Sequence, residues 1–509
     1  MKITMKKTKT ALFPLTCALL LAAFVWNGCG GNDDERQEVE GHSASIADTA
    51  AGGDASVSSG QKGTVRKDAD AQPKSDKVIM VVVDALRADG LGCYGYSKDT
   101  SPTIDRLAKE GILFERMHSA SPWTAPSFGT FYTGVSPTVH GAGSMLARGS
   151  SKGTTLFGVT VGGIRKDLPT LPKLLPSEVR KGAIINNSFV SKELGFARGV
   201  DDFNHKIAHL TRYRTADEVT DIATKWLEEH KDGPFFLMAH YFDPHIQYGP
   251  PKKYLAQFAP DKPRRIAYPF VDHHTARDGT LKPNDAEKEY IRGLYNGEVR
   301  FTDDQIGVLI GAMEKMGLMD DTWLIITSDH GEEHFDHGSF EHGHRYEEEV
   351  VRVPFIVRAP GGKWKAGTRI ADSVSHVDIL PTVLDLYSVP SLPHFEGSSM
   401  LPLVDGKKRP DRTSYMEFNL FKGQQCALFD GRYKIVWDFR RNRAFMYDLK
   451  EDPRELTKLG KEHPMYEGML ERVKARREEL TRQARGKVFD KGALSKEAAD
   501  ALKSLGYIK

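Results

Sequence analysis

Val78-Ile79-Met80-Val81-Val82-Val83-Asp84 decides the fold: the run is apolar at every position and then stops on a carboxylate. An unbroken apolar run, in place of alternation, is what a strand needs when both of its faces are covered. The same signature returns at Ala183–Ile185, Phe235–Met238, Trp323–Thr327 and Pro354–Val357. Between such runs Ile306, Leu309, Ile310 and Met313 recur at helical spacing. This alternation predicts an α/β fold with a largely parallel central sheet between helices. In such sheets ligands collect beyond the carboxyl ends of the strands. Asp84 and Asp329 each follow an apolar run, so the topology gives two carboxylates far apart in sequence a reason to converge.

The flanks speak of location. Lys2, Lys6, Lys7 and Lys9 precede an apolar stretch from Ala11 to Val25 that closes on Asn27-Gly28-Cys29. That is the pattern of an export signal over residues 1–29, short for a membrane span. Gly28 before Cys29 favours a bacterial lipoprotein signal with Cys29 acylated, although Trp26 stands where such signals usually carry Leu; ordinary secretion and a retained anchor are the alternatives. Each places the protein outside the cytoplasm, and the favoured reading is a membrane-anchored lipoprotein of the bacterial cell envelope facing the periplasm or the exterior. Residues 30–75 contain almost no large apolar side chain and read as a flexible tether holding the body off a membrane. The rest suffices for a large domain at 76–390 and a smaller carboxy-terminal subdomain with a helical tail at 391–509.

Lys and Arg total 71 against 69 Asp and Glu, a net charge of +2, which offers no field for a nucleic-acid partner. Of 4 cysteines, Cys17 and Cys29 fall in the signal region. Cys93 and Cys426 are no disulfide scaffold and read as small buried hydrophobes, a bridge between them being the other possibility.

Thr124 lies in Ser121-Pro122-Trp123-Thr124-Ala125-Pro126-Ser127-Phe128. Pro126 suits a first helical turn, and Thr133-Gly134 stops the helix. Thr124 therefore sits at a helix amino end, where unpaired N–H groups favour an anionic ester; taken alone it reads more readily as a plain helix cap.

The wider pattern resembles the sulfatase family of the alkaline phosphatase superfamily. It is carried by Val81 to Gly95, Ser101-Pro102-Thr103-Ile104-Asp105-Arg106-Leu107, the Thr124 segment through Gly134, and Asp329-His330-Gly331-Glu332. Tyr241 to His245, Gly343-His344 before Tyr346-Glu347-Glu348, Val353 to Ile356 and Val377 to Thr382 also match, as does Tyr447-Asp448-Leu449 with Glu451-Asp452-Pro453 in the carboxy-terminal subdomain. The resemblance runs from Lys77 to Glu455 and implies an alkaline phosphatase-like fold with a small carboxy-terminal α+β subdomain. It also implies a metal-dependent ester hydrolase.

The chain departs from true sulfatases at linked positions. Thr124 stands where they carry the Cys or Ser that is oxidised to formylglycine, and threonine cannot give that aldehyde by the same route. Phe128 replaces the arginine of their motif, Ala85 replaces one of two aspartates, and His330 stands where many have Asn. By resemblance the metal set is Asp84, Thr124, Asp329 and His330. One imidazole and few oxygens suit a single zinc or manganese ion better than calcium, which stays possible. A hydroxyl held there is an activated nucleophile. The favoured function is hydrolysis of a phosphate ester or phosphodiester through Thr124, the alcohol being a glycan, a lipid or a small molecule. Sulfuric ester hydrolysis, phospho-head-group transfer and a catalytically dead binding protein are the alternatives.

By resemblance, His245 and His344 touch the ester oxygens or protonate the leaving group. Asn186 or Asn187 binds the anion in place of a family lysine, or else forms a plain turn. His330, His334, His337, His342 and His344 crowd one acidic stretch. A second metal is conceivable there, but the sequence favours one metal under a polar loop. Arg87 and Asp89 read as a local ion pair. Past Pro453, Leu470, Val473, Leu480 and Ala484 share one side of a basic helix that packs on the body or touches anionic lipid.

Overall fold

The computed structural model describes residues 76–146, 155–156, 159–206, 213–362, 364–409, 413–418, 420 and 424–486. The expected export signal, Cys29, the tether and the end of the tail lie outside the described residues.

The central sheet is built from β1 (Lys77–Val83), β2 (Ile112–His118), β3 (Arg180–Ile185), β4 (Asp202–His205), β5 (Phe235–Tyr241), β6 (Thr322–Ser328), β7 (Arg352–Arg358) and β8 (Thr368–Ser375). Their order is β8-β2-β7-β6-β1-β5-β3-β4. β1 is parallel to both β5 and β6, and β3 to both β4 and β5. β7 corrects the parallel expectation locally: the run holding Pro354–Val357 is antiparallel to both of its neighbours.

The unbroken apolar runs have the predicted cause. Val78, Met80 and Val82 face one hydrophobic layer with Phe128 and Phe131, while Ile79, Val81 and Val83 face the other with Ile306, Leu309, Ile310 and Met313. Side chains alternate across a strand, so a strand buried twice must be apolar at every position. The first layer contains α2 (Thr124–Thr133), following α1 (Pro102–Glu110) in sequence. The second contains α3 (Ala216–His230) and α4 (Asp285–Lys315). The amino end of α4 is fixed by a capping box in which Asn284 Oδ1 accepts the Glu287 N–H and Glu287 Oε2 accepts the Asn284 N–H, each at 2.9 Å.

The carboxy-terminal part forms an antiparallel sheet, β9 (Ser414–Glu417), β10 (Gln425–Phe429), β11 (Tyr433–Asp438) and β12 (Arg443–Asp448). Across it lies α5 (Tyr466–Ala484), with Met469, Val473 and Leu480 buried against Leu428, Ile435 and Met446. The basic helix therefore spends its apolar side on the body. No helix among the described residues is long and apolar enough to cross a membrane. Cys93 and Cys426 are free thiols, Cys426 buried and Cys93 partly so.

Candidate active site

β1 and β6 are adjacent and parallel with Val83 opposite Ser328, so Asp84 and Asp329 leave the same edge of the sheet side by side. His330 follows, and its ring is fixed by Nδ1, which donates to the Gly331 carbonyl at 2.9 Å. That bond leaves the lone pair on Nε2. Nε2 stands 3.5 Å from Asp84 Oδ1, 3.4 Å from Asp329 Oδ2 and 3.3 Å from Thr124 Oγ1. Thr124 is the first residue of α2, which ends at Gly134 with φ of 67°. The two carboxylates, His330 and the hydroxyl are all buried.

Asp84 Oδ1 and Asp329 Oδ2 have no hydrogen-bond partner. Buried oxygens of this kind are costly unless something positive meets them. Burial and the Asp84 charge push the Asp329 carboxyl well above the usual carboxylate range. Burial also raises Asp84, but the His245, His240 and His330 imidazoles outweigh it and draw Asp84 down to about 2. Burial holds His330 below its ordinary value. Two orphaned carboxylate oxygens, one imidazole lone pair and one hydroxyl aimed at a common point suit a small divalent cation.

The second oxygen of each carboxylate is already engaged. Asp329 Oδ1 accepts the His330 N–H at 2.9 Å and the Ala85 N–H at 3.3 Å. Ala85 adopts a left-handed φ of 56° to point that amide inward. Asp84 Oδ2 accepts from Asn187 Nδ2 at 2.8 Å, and Asn187 Nδ2 is also 3.4 Å from Thr124 Oγ1.

The remaining expected residues divide. Asn187 is in the site. Asn186 is placed elsewhere: its side chain donates to the Arg214 carbonyl and accepts the Arg214 N–H, which ties the end of β3 to the segment before α3 and spends both side-chain groups away from Thr124 and the carboxylates. His245 lies against the site, with Nδ1 on the Ile246 carbonyl at 2.6 Å and its ring 4.9 Å from His342. His344 is a correction. Its Nε2 meets Ser339 Oγ at 2.8 Å and Glu333 Oε2 at 3.4 Å, pairing it with the surrounding loop. The histidine beside the cluster is His342, whose ring lies 4.2 Å from that of His330 and whose Nδ1 bonds Glu332 Oε1 at 2.9 Å. Burial, together with His330 and His245, keeps His342 well below its ordinary pKa.

Sequence reasoning also missed His240, buried near the end of β5 with Nε2 3.3 Å from Asp84 Oδ2. The available signal was an ionisable residue interrupting an apolar strand at its carboxyl end. Among the described residues no Lys or Arg bonds Asp84, Thr124, Asp329 or His330. Glu333, His337 and Glu349 also cluster. There His337 uses both nitrogens, Nδ1 with Glu349 Oε1 at 2.6 Å and Nε2 with the Arg454 carbonyl at 2.9 Å, which makes it an ion-pair partner and not a ligand. Arg87 pairs with Asp89 and Asp336, both at 2.8 Å.

The chain is similar to known proteins over most of its described length. The sulfatase family model matches residues 76–389, and the model for the C-terminal region of N-sulphoglucosamine sulphohydrolase matches residues 335–483. The uncharacterized sulfatase YidJ of Escherichia coli K12 is 25% identical over 430 residues, spanning 76% of this chain and 83% of that one. An N-acetylglucosamine-6-O-sulfatase of Bacteroides thetaiotaomicron is 24% identical over 483 residues, with the same 76% and 83% coverage. The solved phosphonate monoester hydrolase of Agrobacterium radiobacter superposes with a TM-score of 0.61 at 19% identity, over 82% of this chain and 96% of that one.

Proposed function

The chain belongs to the sulfatase family of the alkaline phosphatase superfamily, and we propose that it hydrolyses a phosphodiester or other phosphate ester through a covalent intermediate on Thr124. The observation that carries this reading is the position of Thr124 Oγ1, 3.3 Å from His330 Nε2 at the focus of two partnerless carboxylate oxygens. Asp84, Asp329, His330 and Thr124 are the residues that would hold a divalent ion, zinc or manganese by their donor types. Such an ion supplies Lewis acidity that lowers the pKa of the Thr124 hydroxyl and offsets the charge of the ester.

Thr124 Oγ then forms a bond to phosphorus while the bond from phosphorus to the leaving alcohol oxygen breaks. Asn187 Nδ2, already 3.4 Å from Thr124 Oγ1, is placed to donate to an ester oxygen. His342 and His245, both held below their ordinary pKa chiefly by burial, are the imidazoles beside the cluster that can carry the hydroxyl proton to the departing oxygen. Threonine has one oxygen on Cβ and cannot form the geminal diol through which a formylglycine sheds its ester. Release therefore takes a second displacement, by water at phosphorus, which restores the hydroxyl.

Two carboxylates beside a single imidazole favour a singly charged ester over a dianionic phosphate monoester. A sulfate ester also carries one charge, and the relatives named as sulfatases keep sulfuric ester hydrolysis as the second reading. Metal-free protein reloaded with zinc, manganese or calcium and assayed on an aryl phosphodiester, phosphonate ester, phosphate monoester and sulfate tests this directly. Trapped Thr124 peptides, separated by exact mass into phosphorylated and sulfated forms, identify the transferred group. Turnover of the sulfate alone overturns the phosphoester reading.

A further inference from the structure

Asp84 is held on its outer side by a residue that has no part in the mechanism above. His240, fully buried near the end of β5, accepts the Asn186 N–H on Nδ1 at 3.4 Å. An Nδ1 that accepts leaves the proton on Nε2. Nε2 faces Asp84 Oδ2 at 3.3 Å, an ion-pair contact, and has no hydrogen-bond partner. The ring is pinned edge-on by Phe128, with centroids 5.0 Å apart and planes at 85°. Phe128 is the residue that stands in place of the arginine of the sulfatase motif, so the side chain that removes a cation from the site also orients this imidazole.

We propose that His240 is a positioning residue for the metal site: Asn187 hydrogen-bonds Asp84 Oδ2 and the His240 Nε2–H faces the same oxygen, so that Asp84 offers one oxygen, Oδ1, to the cation. Asp329 is restricted in the same way by two backbone amides. The site then presents two single carboxylate oxygens, one nitrogen and one hydroxyl. This suits a small ion of low coordination number and rejects calcium, which seeks bidentate carboxylates and more oxygens. Because Nδ1 is spent on Asn186, the Nε2–H of His240 faces Asp84 and acts on that ligand electrostatically, and His240 is not itself a ligand. Outer partners of this kind orient metal ligands and tune affinity.

The inference rests on the metal reading above, and its test reads metal uptake and not turnover. Metal-free full-length protein is titrated with Mn2+ by electron paramagnetic resonance and with Ca2+ by competition, for wild type, His240→Asn and His240→Gln. Asn preserves the acceptor for the Asn186 N–H but does not reach Asp84, whereas the longer Gln places an N–H near the Nε2 position. His240→Asn is expected to weaken Mn2+ binding by about 10- to 100-fold and to narrow the preference over Ca2+. His240→Gln is expected to stay within about threefold of wild type, by the same reasoning. Wild-type Mn2+ affinity in His240→Asn overturns the proposal, and so does a loss in His240→Gln of more than about tenfold. Absence of Mn2+ uptake by wild type overturns the metal reading and this inference with it.

Discussion

Asp84 Oδ1 and Asp329 Oδ2 face one another across His330 Nε2, buried and without hydrogen bonds, because Val83 and Ser328 are register partners in adjacent parallel strands. The sheet forces the two carboxylates together, and no described residue bonds the oxygens they turn inward. Sheet register therefore builds the demand for a cation directly into the fold.

Metal removal is expected to lower stability accordingly. A ligand that binds only the folded state contributes about 2.7 kcal/mol at a hundredfold excess over its Kd. Chelated protein should melt earlier, and zinc or manganese should restore the melting temperature more than calcium does. Asp329→Asn is expected to lose that metal-dependent shift while melting no lower than chelated wild type, because it removes one of two repelling carboxylates. Differential scanning calorimetry with and without metal decides it. A full metal-dependent shift in Asp329→Asn would exclude this residue as a ligand.

Thr124→Ala should leave the fold intact, since a hydroxyl at the first position of α2 makes no intrahelical bond that the helix requires. Turnover of whichever ester the panel identifies is expected to fall by roughly 10³-fold or more, the scale seen when a nucleophile is removed from a working constellation. Thr124→Ser should retain measurable turnover. Equal activity in Thr124→Ala and wild type removes Thr124 as nucleophile.

Much of this was legible beforehand, for identifiable reasons. Continuous apolar runs report burial on both faces, so β1, β3, β5 and β6 were readable, along with the placement of Asp84 and Asp329 at strand ends. Thr124 at a helix amino end followed from Pro126 and Gly134. The direction of β7 was not readable, because a buried strand has the same composition whichever way it runs. Asn186 and Asn187 are adjacent and chemically identical; what separates them is tertiary, the Phe189 N–H donating to Asn187 Oδ1 at 2.9 Å while Arg214 engages Asn186. His342 and His344 differ by their loop contacts, which spacing does not encode. His240 was hidden inside a strand where the surrounding apolar residues suggested packing alone.

Lys434 ties the carboxy-terminal sheet to the body. It is fully buried, bonded to Glu455 Oε1 at 2.7 Å, Glu348 Oε1 at 2.9 Å and the Tyr346 carbonyl at 2.6 Å. Removing one member of a buried charge group strands the others, typically costing about 3–5 kcal/mol. Lys434→Met should therefore lower the urea midpoint clearly. Lys434→Met combined with Glu348→Gln and Glu455→Gln should recover part of the loss, since no carboxylate is then left uncompensated. A single variant as stable as wild type contradicts this account.

His337 gives the pH dependence a definite sign. Its hydrogen bond to Glu349, at 2.6 Å, raises its pKa from 6.5 to about 9 against the opposing effect of partial burial. A histidine whose folded pKa lies above its unfolded value binds its proton more tightly when folded. The contribution is therefore fully present below about pH 6.5 and is lost as pH rises through about 9. Partial exposure to solvent discounts it to about 1–2 kcal/mol. Urea unfolding at pH 6 and pH 10 should show wild type losing roughly this much more than His337→Gln, whose amide keeps a neutral hydrogen bond at both pH values. Parallel losses in the two proteins would show that the His337–Glu349 pair carries no net stabilisation.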